Sequence, residues 1–139
     1  MRFLVDTNVL AEPMKPAPNP SVVAAIQAHL HEIAISAPAW HEMWFGCLRI
    51  PSPSKRRAAI ETYLERGVGG VFPILAYDNG AARWHAIERA RLTATGKTPS
   101  FVDGQIAAIA ATQGLVLVTA NGRDFHHFSG LTVVDWSQG

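Results

Sequence analysis

The sequence predicts an α/β fold, with a central parallel sheet of about five short strands covered by helices on both faces. Three observations carry that expectation. Short apolar runs end abruptly in polar or turn residues, as strands buried on both faces do. Between them lie segments whose apolar residues recur three and four apart, the helical period. The two kinds alternate along 139 residues, which is enough for one domain, 1–139, and little more.

Each element has its own reason. Phe3-Leu4-Val5 is apolar throughout and stops at Asp6, so it reads as a buried strand. Ser21–Leu30 is helical, with Val22, Ile26 and Leu30 four apart on one face. Ile33–Ala37 is a second strand, and Pro38 then suits the start of a helix over residues 39–50. Ser54 can cap the next helix, which Gly67 closes, with Ile60, Tyr63 and Leu64 as its stripe. Val71–Tyr77 is a third strand whose start Pro73 delays, since proline offers no N–H to a ladder. Asp78 caps a long helix ending near Gly96, and Pro99-Ser100 opens another that closes at Gly114. Leu115–Val118 is the clearest strand, and Leu131–Val134 is the fifth.

Composition narrows the classes. A single cysteine, Cys47, excludes an internal disulfide, and its apolar surroundings suggest a buried, inert thiol. No run reaches the roughly 20 apolar residues of a membrane-spanning helix. The apolar opening meets Asp6 too soon for a signal peptide, so a cytoplasmic protein with no membrane partner is expected. Net charge is only +1, so any nucleic-acid contact must come from local patches.

Ligands of open parallel sheets bind beyond the carboxyl ends of the strands. Four of the eleven acidic residues fall there. Asp6 ends the first strand, and Glu42 lies in the first turn after the second. Asp103 opens the helix that feeds the fourth strand, and Asp124 lies just after that strand. Ile106, Ala107 and Ala110 put Asp103 on an apolar stripe, where an unpaired carboxylate is costly. Phe45 and Gly46 suggest a non-solvent face for Glu42. Helix-dipole or capping roles account for each acid taken singly. Four together without matching cations favour a hard divalent ion, Mg²⁺ or Mn²⁺, because carboxylate oxygens suit it. Asp78 is a structural cap by contrast.

The segment Leu4-Val5-Asp6-Thr7-Asn8-Val9-Leu10 resembles the opening of PIN-domain toxins of the VapC and FitB kind. Glu42, then Asp103-Gly104-Gln105-Ile106-Ala107-Ala108-Ile109-Ala110, continue the pattern in order. Leu117-Val118-Thr119-Ala120-Asn121 and Asp124-Phe125 complete it. The resemblance implies a three-layer α/β/α sandwich and a Mg²⁺- or Mn²⁺-dependent endoribonuclease, the toxin of a type II toxin–antitoxin pair. It implies RNA as substrate, a cognate antitoxin, a homodimer, and operator DNA reached only through the antitoxin. Asp6, Glu42, Asp103 and Asp124 become catalytic metal ligands, with Thr7, Asn8, Thr119 and Asn121 around them as groups that orient carboxylates or water. Some relatives carry the fourth acid at the position of Asn121; Asp124 is assigned here because it keeps a charge.

Other signals carry less. Gly96-Lys97-Thr98 lacks the earlier glycine of a phosphate-binding loop, because Arg91 occupies that place. The six histidines show no zinc spacing. Lys55-Arg56-Arg57 crowds three cations into a helix's first turn, where the dipole disfavours them, and so marks a possible RNA contact beside the solvated-cluster reading. Trp40 and Trp44 suit either the core or a partner face. Two rival functions stay open: a Mg²⁺-dependent phosphatase of similar fold, against which Asn8 counts, and a catalytically impaired PIN-fold module acting on DNA through an antitoxin.

Overall fold

A computed structural model describes residues 1–138. The strands are β1 (Phe3–Val5), β2 (Ile33–Ser36), β3 (Ile74–Leu75), β4 (Val116–Val118) and β5 (Val133–Val134). They form one parallel sheet in the order β3-β2-β1-β4-β5. The helices are α1 (Thr7–Leu10), α2 (Pro20–Ala28), α3 (Ala37–Leu48), α4 (Lys55–Thr62), α5 (Asn79–Ala94) and α6 (Phe101–Thr112).

The two-residue period of β1 divides the core. Phe3 and Val5 pack with Val22, Ile26, Met43, Leu64 and Val68 on one face of the sheet. Leu4 points to the other face and meets Leu92, Ile106, Ile109, Leu117 and Phe125. Helices α2, α3 and α4 thus cover one side, and α5 and α6 the other, giving an α/β/α sandwich. Leu4 and Leu117 are fully buried and adjacent in the β1–β4 register, so truncating either to alanine would cost about 2–5 kcal/mol.

The caps fall where the side chains dictate. Ser54 accepts a hydrogen bond from the Arg57 N–H, Asp78 from that of Ala81, and Ser100 from that of Asp103. Asn19 starts α2, with Pro20 in the first helical position. Three elements depart from expectation. The third strand keeps only Ile74–Leu75, because Val71 and Phe72 bond back to the Val68 carbonyl; Pro73 still accepts from the Ile35 N–H. The helix expected to run to Gly67 changes at Tyr63 into a π-helical stretch, Tyr63–Gly69, whose first residue donates its hydroxyl to the Leu10 carbonyl at 2.7 Å. A single α-helical turn, α1, follows β1 directly.

The strand order reverses between β1 and β4. Connections leave these neighbours in opposite directions, which opens a crevice at their carboxyl ends.

Candidate active site

Asp6 stands at that crevice, and both its oxygens are held. Oδ1 accepts from the Thr7 N–H at 2.8 Å as the cap of α1. Oδ2 accepts from the Thr119 hydroxyl at 3.0 Å. Thr119, buried just past β4, in turn accepts from the Asn121 N–H at 3.1 Å. Asn8 ties the same two loops together, its side-chain oxygen accepting from the Ala120 N–H at 3.2 Å. A serial network of this kind fixes the carboxylate without neutralising it. Burial raises the proton affinity of Asp6 above the usual carboxylate range; the two hydrogen bonds pull it down, and the Asp124 charge adds to the rise.

Asp103 is the third residue of α6, half-buried, with its backbone N–H held by the Ser100 hydroxyl. Its proton affinity is also raised, first by burial and then by the charges of Asp124 and Asp6, against the lowering effect of Ser100. Asp124 ends a short 3₁₀ turn, Gly122–Asp124, and is exposed. Asp6, Asp103 and Asp124 therefore sense one another across the crevice. None of the three has a cationic side chain within 4.0 Å among the described residues. They do not close into a ready ligand cage: among the described residues, no three acidic, imidazole or thiol groups stand close enough to hold a metal. Like charges with nothing between them hold apart, and partly desolvated acids without counter-charges suit a hard divalent cation.

Glu42 stands on the other side of Thr7 from the polar cleft that holds Asp103 and Asp124, in a separate groove. It occupies the second turn of α3, not the first after β2, because Ser36 starts that helix at Ala37. It faces solvent, as does Phe45 at half its full exposure, since the buried stripe of α3 is Ala39, Met43 and Cys47. His41 is 3.8 Å from its carboxylate. Glu42 lines a broad, mostly apolar groove of about 1160 Å³ with Thr7, Met14, Arg49, Arg56 and Tyr63. Thr7, one residue beyond Asp6, is thus the link between groove and crevice.

The basic triplet divides. Lys55 and Arg56 are exposed, whereas Arg57 donates to Glu61 at 2.8 Å and to the Ile50 carbonyl at 3.1 Å. Trp40 and Trp44 meet each other edge to face, and both are partly buried against the core. Cys47 is buried, and its thiol is pushed up by that burial.

Several residues of the site had no local signal. A polar cleft of about 450 Å³ contains Asp103 and Asp124 together with Lys97, Ser100, Arg123 and His127. Beneath it, buried His85 shares a 2.8 Å hydrogen bond between Nδ1 and the Tyr77 hydroxyl. The other ring nitrogen, Nε2, has no hydrogen-bond partner among the described residues. It faces Gly104, where any Cβ would collide with the ring. Gly104 is therefore required for the close approach that seats α6, and Asp103 with it.

Known proteins resemble the chain in sequence and in fold over nearly its whole length. The tRNA(fMet)-specific endonuclease VapC of Shigella flexneri is 31% identical over 137 residues, 99% of either chain. The toxin FitB of Neisseria gonorrhoeae is 31% identical over 126 residues, 88% of this chain and 90% of its own. The crystal structure of DNA-bound VapBC from Salmonella typhimurium superposes with a TM-score of 0.82 at 28% identity, covering 98% of each chain. Residues 3–131, from the first strand to the brink of the last, match the PIN domain, and the chain belongs to that family.

Proposed function

We propose that the chain, folded as one domain, is a divalent-metal-dependent endoribonuclease, the toxin of a toxin–antitoxin pair. The observation that carries this reading is the trio Asp6, Asp103 and Asp124 at the switch point of the sheet, the first two partly desolvated and both raised by the charge of Asp124. Kinship with an endonuclease and with a toxin points the same way.

Asp6, Asp103 and Asp124 would hold Mg²⁺ or Mn²⁺, and Glu42 would reach toward it from the groove rim. When bound, the cation supplies an activated water and charge stabilisation for phosphodiester hydrolysis. The chain's own groups orient and neutralise. Thr119 and the Thr7 N–H fix the two oxygens of Asp6, while Ser100 and Gly104 fix the α6 end that presents Asp103. Asn8 and Asn121 hold the β4 loop on which Asp124 follows. Lys55 and Arg56 are free to meet RNA phosphates farther along; the guanidinium of Arg57 is already engaged.

The cognate antitoxin is the proposed protein partner, laid along the apolar groove, with operator DNA reached through it. A solved relative, VapBC, is a complex bound to DNA. A cytoplasmic homodimer completes the reading. Among the described residues, no helix is long and apolar enough to cross a membrane.

The test is cleavage of single-stranded RNA in Mg²⁺, in Mn²⁺ and in chelator, by the wild type and by Asp6→Asn. Cleavage by the wild type in metal alone, falling by more than about 100-fold in the variant, is expected, since even residues that only orient ligands cost 10–100-fold. A folded Asp6→Asn protein of near-wild-type turnover would refute the assignment.

A further inference from the structure

Among the described residues, Lys97 and Arg123 of the polar cleft make no ion pair. Lys97, Arg123 and His127 share the cleft with Asp103 and Asp124, yet neither Lys97 nor Arg123 comes within 4.0 Å of a carboxylate among the described residues. If they served as structural counter-ions to Asp103, they would hold its proton affinity down. The influences on Asp103 are burial, Ser100, Asp124 and Asp6, and no cation is among them. Acids and cations thus occupy one small cleft without neutralising each other.

The loops that carry these cations are braced. Helix α5 ends in a Schellman turn: Gly96, at φ 73°, donates to the Thr93 carbonyl, and Lys97 donates its N–H to that of Leu92 at 2.9 Å. That turn directs Lys97 into the cleft, and the Thr98 hydroxyl bonds that of Thr93 at 3.0 Å. On the facing side, the Glu88 carboxylate is buried in a bidentate pair with Arg91 and accepts from the Ser129 N–H. Arg91 also holds the His127 carbonyl at 2.8 Å. The Arg123 carbonyl bonds the His126 ring, and Phe125 buries the turn between them. Long cationic side chains on anchored backbones lose less entropy on meeting an anion than those on loose loops.

We infer that Lys97 and Arg123, with His127, form a binding subsite for the phosphate next to the scissile one in a single-stranded RNA backbone. The inference rests on the nuclease reading above and assigns the direction in which the strand leaves the carboxylates. A polyanion whose scissile phosphate lies against Asp6, Asp103 and Asp124 needs a cation at that centre and positive charge beside it, and this cleft supplies the second. Desolvation and the neighbouring His126, Lys97 and Arg91 push His127 below the usual imidazole range. It therefore acts near neutral pH as an uncharged hydrogen-bonding group, leaving two permanent charges.

The experiment measures binding of a short fluorescein-labelled single-stranded RNA of mixed sequence by anisotropy across a salt series. Asp6→Asn serves as background so that the RNA stays intact, and wild-type cleavage of the same RNA is followed in parallel. Adding Lys97→Ala and Arg123→Ala should weaken binding about 10–100-fold at low salt. It should also make the slope of log affinity against log salt shallower by about 0.7, the figure for one single-strand phosphate no longer neutralised. In the active protein the pair should raise KM with kcat within about twofold, because a flanking interaction is made equally in ground and transition states. Lys97→Arg with Arg123→Lys should restore most of the affinity, which rules out a folding defect. Arg2→Ala, before the amino end of the central strand and so at the opposite end of the sheet from the crevice, should leave the slope unchanged. An unchanged slope in the double alanine variant, or an equal change from Arg2→Ala, overturns the subsite while leaving the nuclease reading intact. A wild type that neither cleaves nor binds the RNA overturns both.

Discussion

Two hollows flank the Asp6–Thr7 corner, and they differ in almost every physical respect. The cleft over α6 is small and polar, with one of its acids half-buried and with Lys97 and Arg123 in no ion pair among the described residues. The groove between α1, α3 and α4 is more than twice as large and lined mainly by Met14, Met43, Ile50, Ile60 and Tyr63, with Glu42, Arg49 and Arg56 exposed at its rim. Charge in a partly desolvated cleft is costly, and clustered charges of that kind mark candidate functional sites. Charge on a groove rim costs little, and apolar area inside it suits the side chains of a protein segment. The cleft therefore has the character of a chemical centre, and the groove that of a docking surface.

The largest effect that could break this contrast comes from Asp103→Asn. Its carboxylate is raised by burial and by Asp124 and Asp6, so ionisation of Asp103 costs the native state free energy. For an acid raised in the fold, the relative stability is greatest below its unfolded pKa and is lost as pH rises through the folded value. At neutral pH the variant should therefore melt a few degrees higher than wild type in chelator, where ~1 kcal/mol is worth about 2–8 °C for domains of this order of size. The added stabilisation by Mn²⁺ should shrink, and cleavage should fall more than about 100-fold. Thermal melts in chelator and in Mn²⁺ decide it. A variant less stable in chelator with its Mn²⁺ response intact would make Asp103 a structural acid.

A smaller effect separates the two hollows directly. Gly46 lines the groove, and a Cβ there meets nothing within 4 Å. Gly46→Phe should fill the groove and weaken binding of the cognate antitoxin tenfold or more, with RNA cleavage near the wild-type rate. Titration calorimetry beside a cleavage assay reads both quantities. Loss of cleavage with antitoxin binding retained would reverse the roles given to groove and cleft.

The smallest expected effect sharpens the cleft itself. Asp124→Ala should lower cleavage about tenfold, and Asn121→Ala less than threefold, on the scale of losses at ligand-orienting positions. Asp124 is felt electrostatically by both Asp6 and Asp103, whereas Asn121 contributes its backbone N–H to Thr119 and keeps that N–H as alanine. Rates at saturating Mn²⁺ settle the ranking, and the opposite order would move the fourth position to Asn121.

Much of this was legible in the sequence because the governing interactions are local. The apolar runs of β1 and β4, the stripe Ile106, Ala107 and Ala110, and the caps Ser54, Asp78 and Ser100 act over a few residues, and they lie where their patterns placed them. The acids at the strand ends were visible for the same reason: a charge closing an apolar run is a local contradiction. The exposure of Glu42 was not legible, since Phe45 and Gly46 beside it are rim residues of a groove that exists only when α1 and α4 pack against α3. Nor was the engagement of Arg57, which depends on where the Ile50 carbonyl ends up. The cleft cations lay furthest from view. Lys97 ends one helix and Arg123 follows a strand twenty-six positions later, and neither has a neighbour in sequence that explains it. The sequence alone determined the order of strands and helices, the places of β1, β2 and β4, and the acid, Asp6, that ends the first strand. Only the tertiary structure decided which charges share a cleft, because burial and electrostatic coupling depend on distances in space that no local pattern encodes.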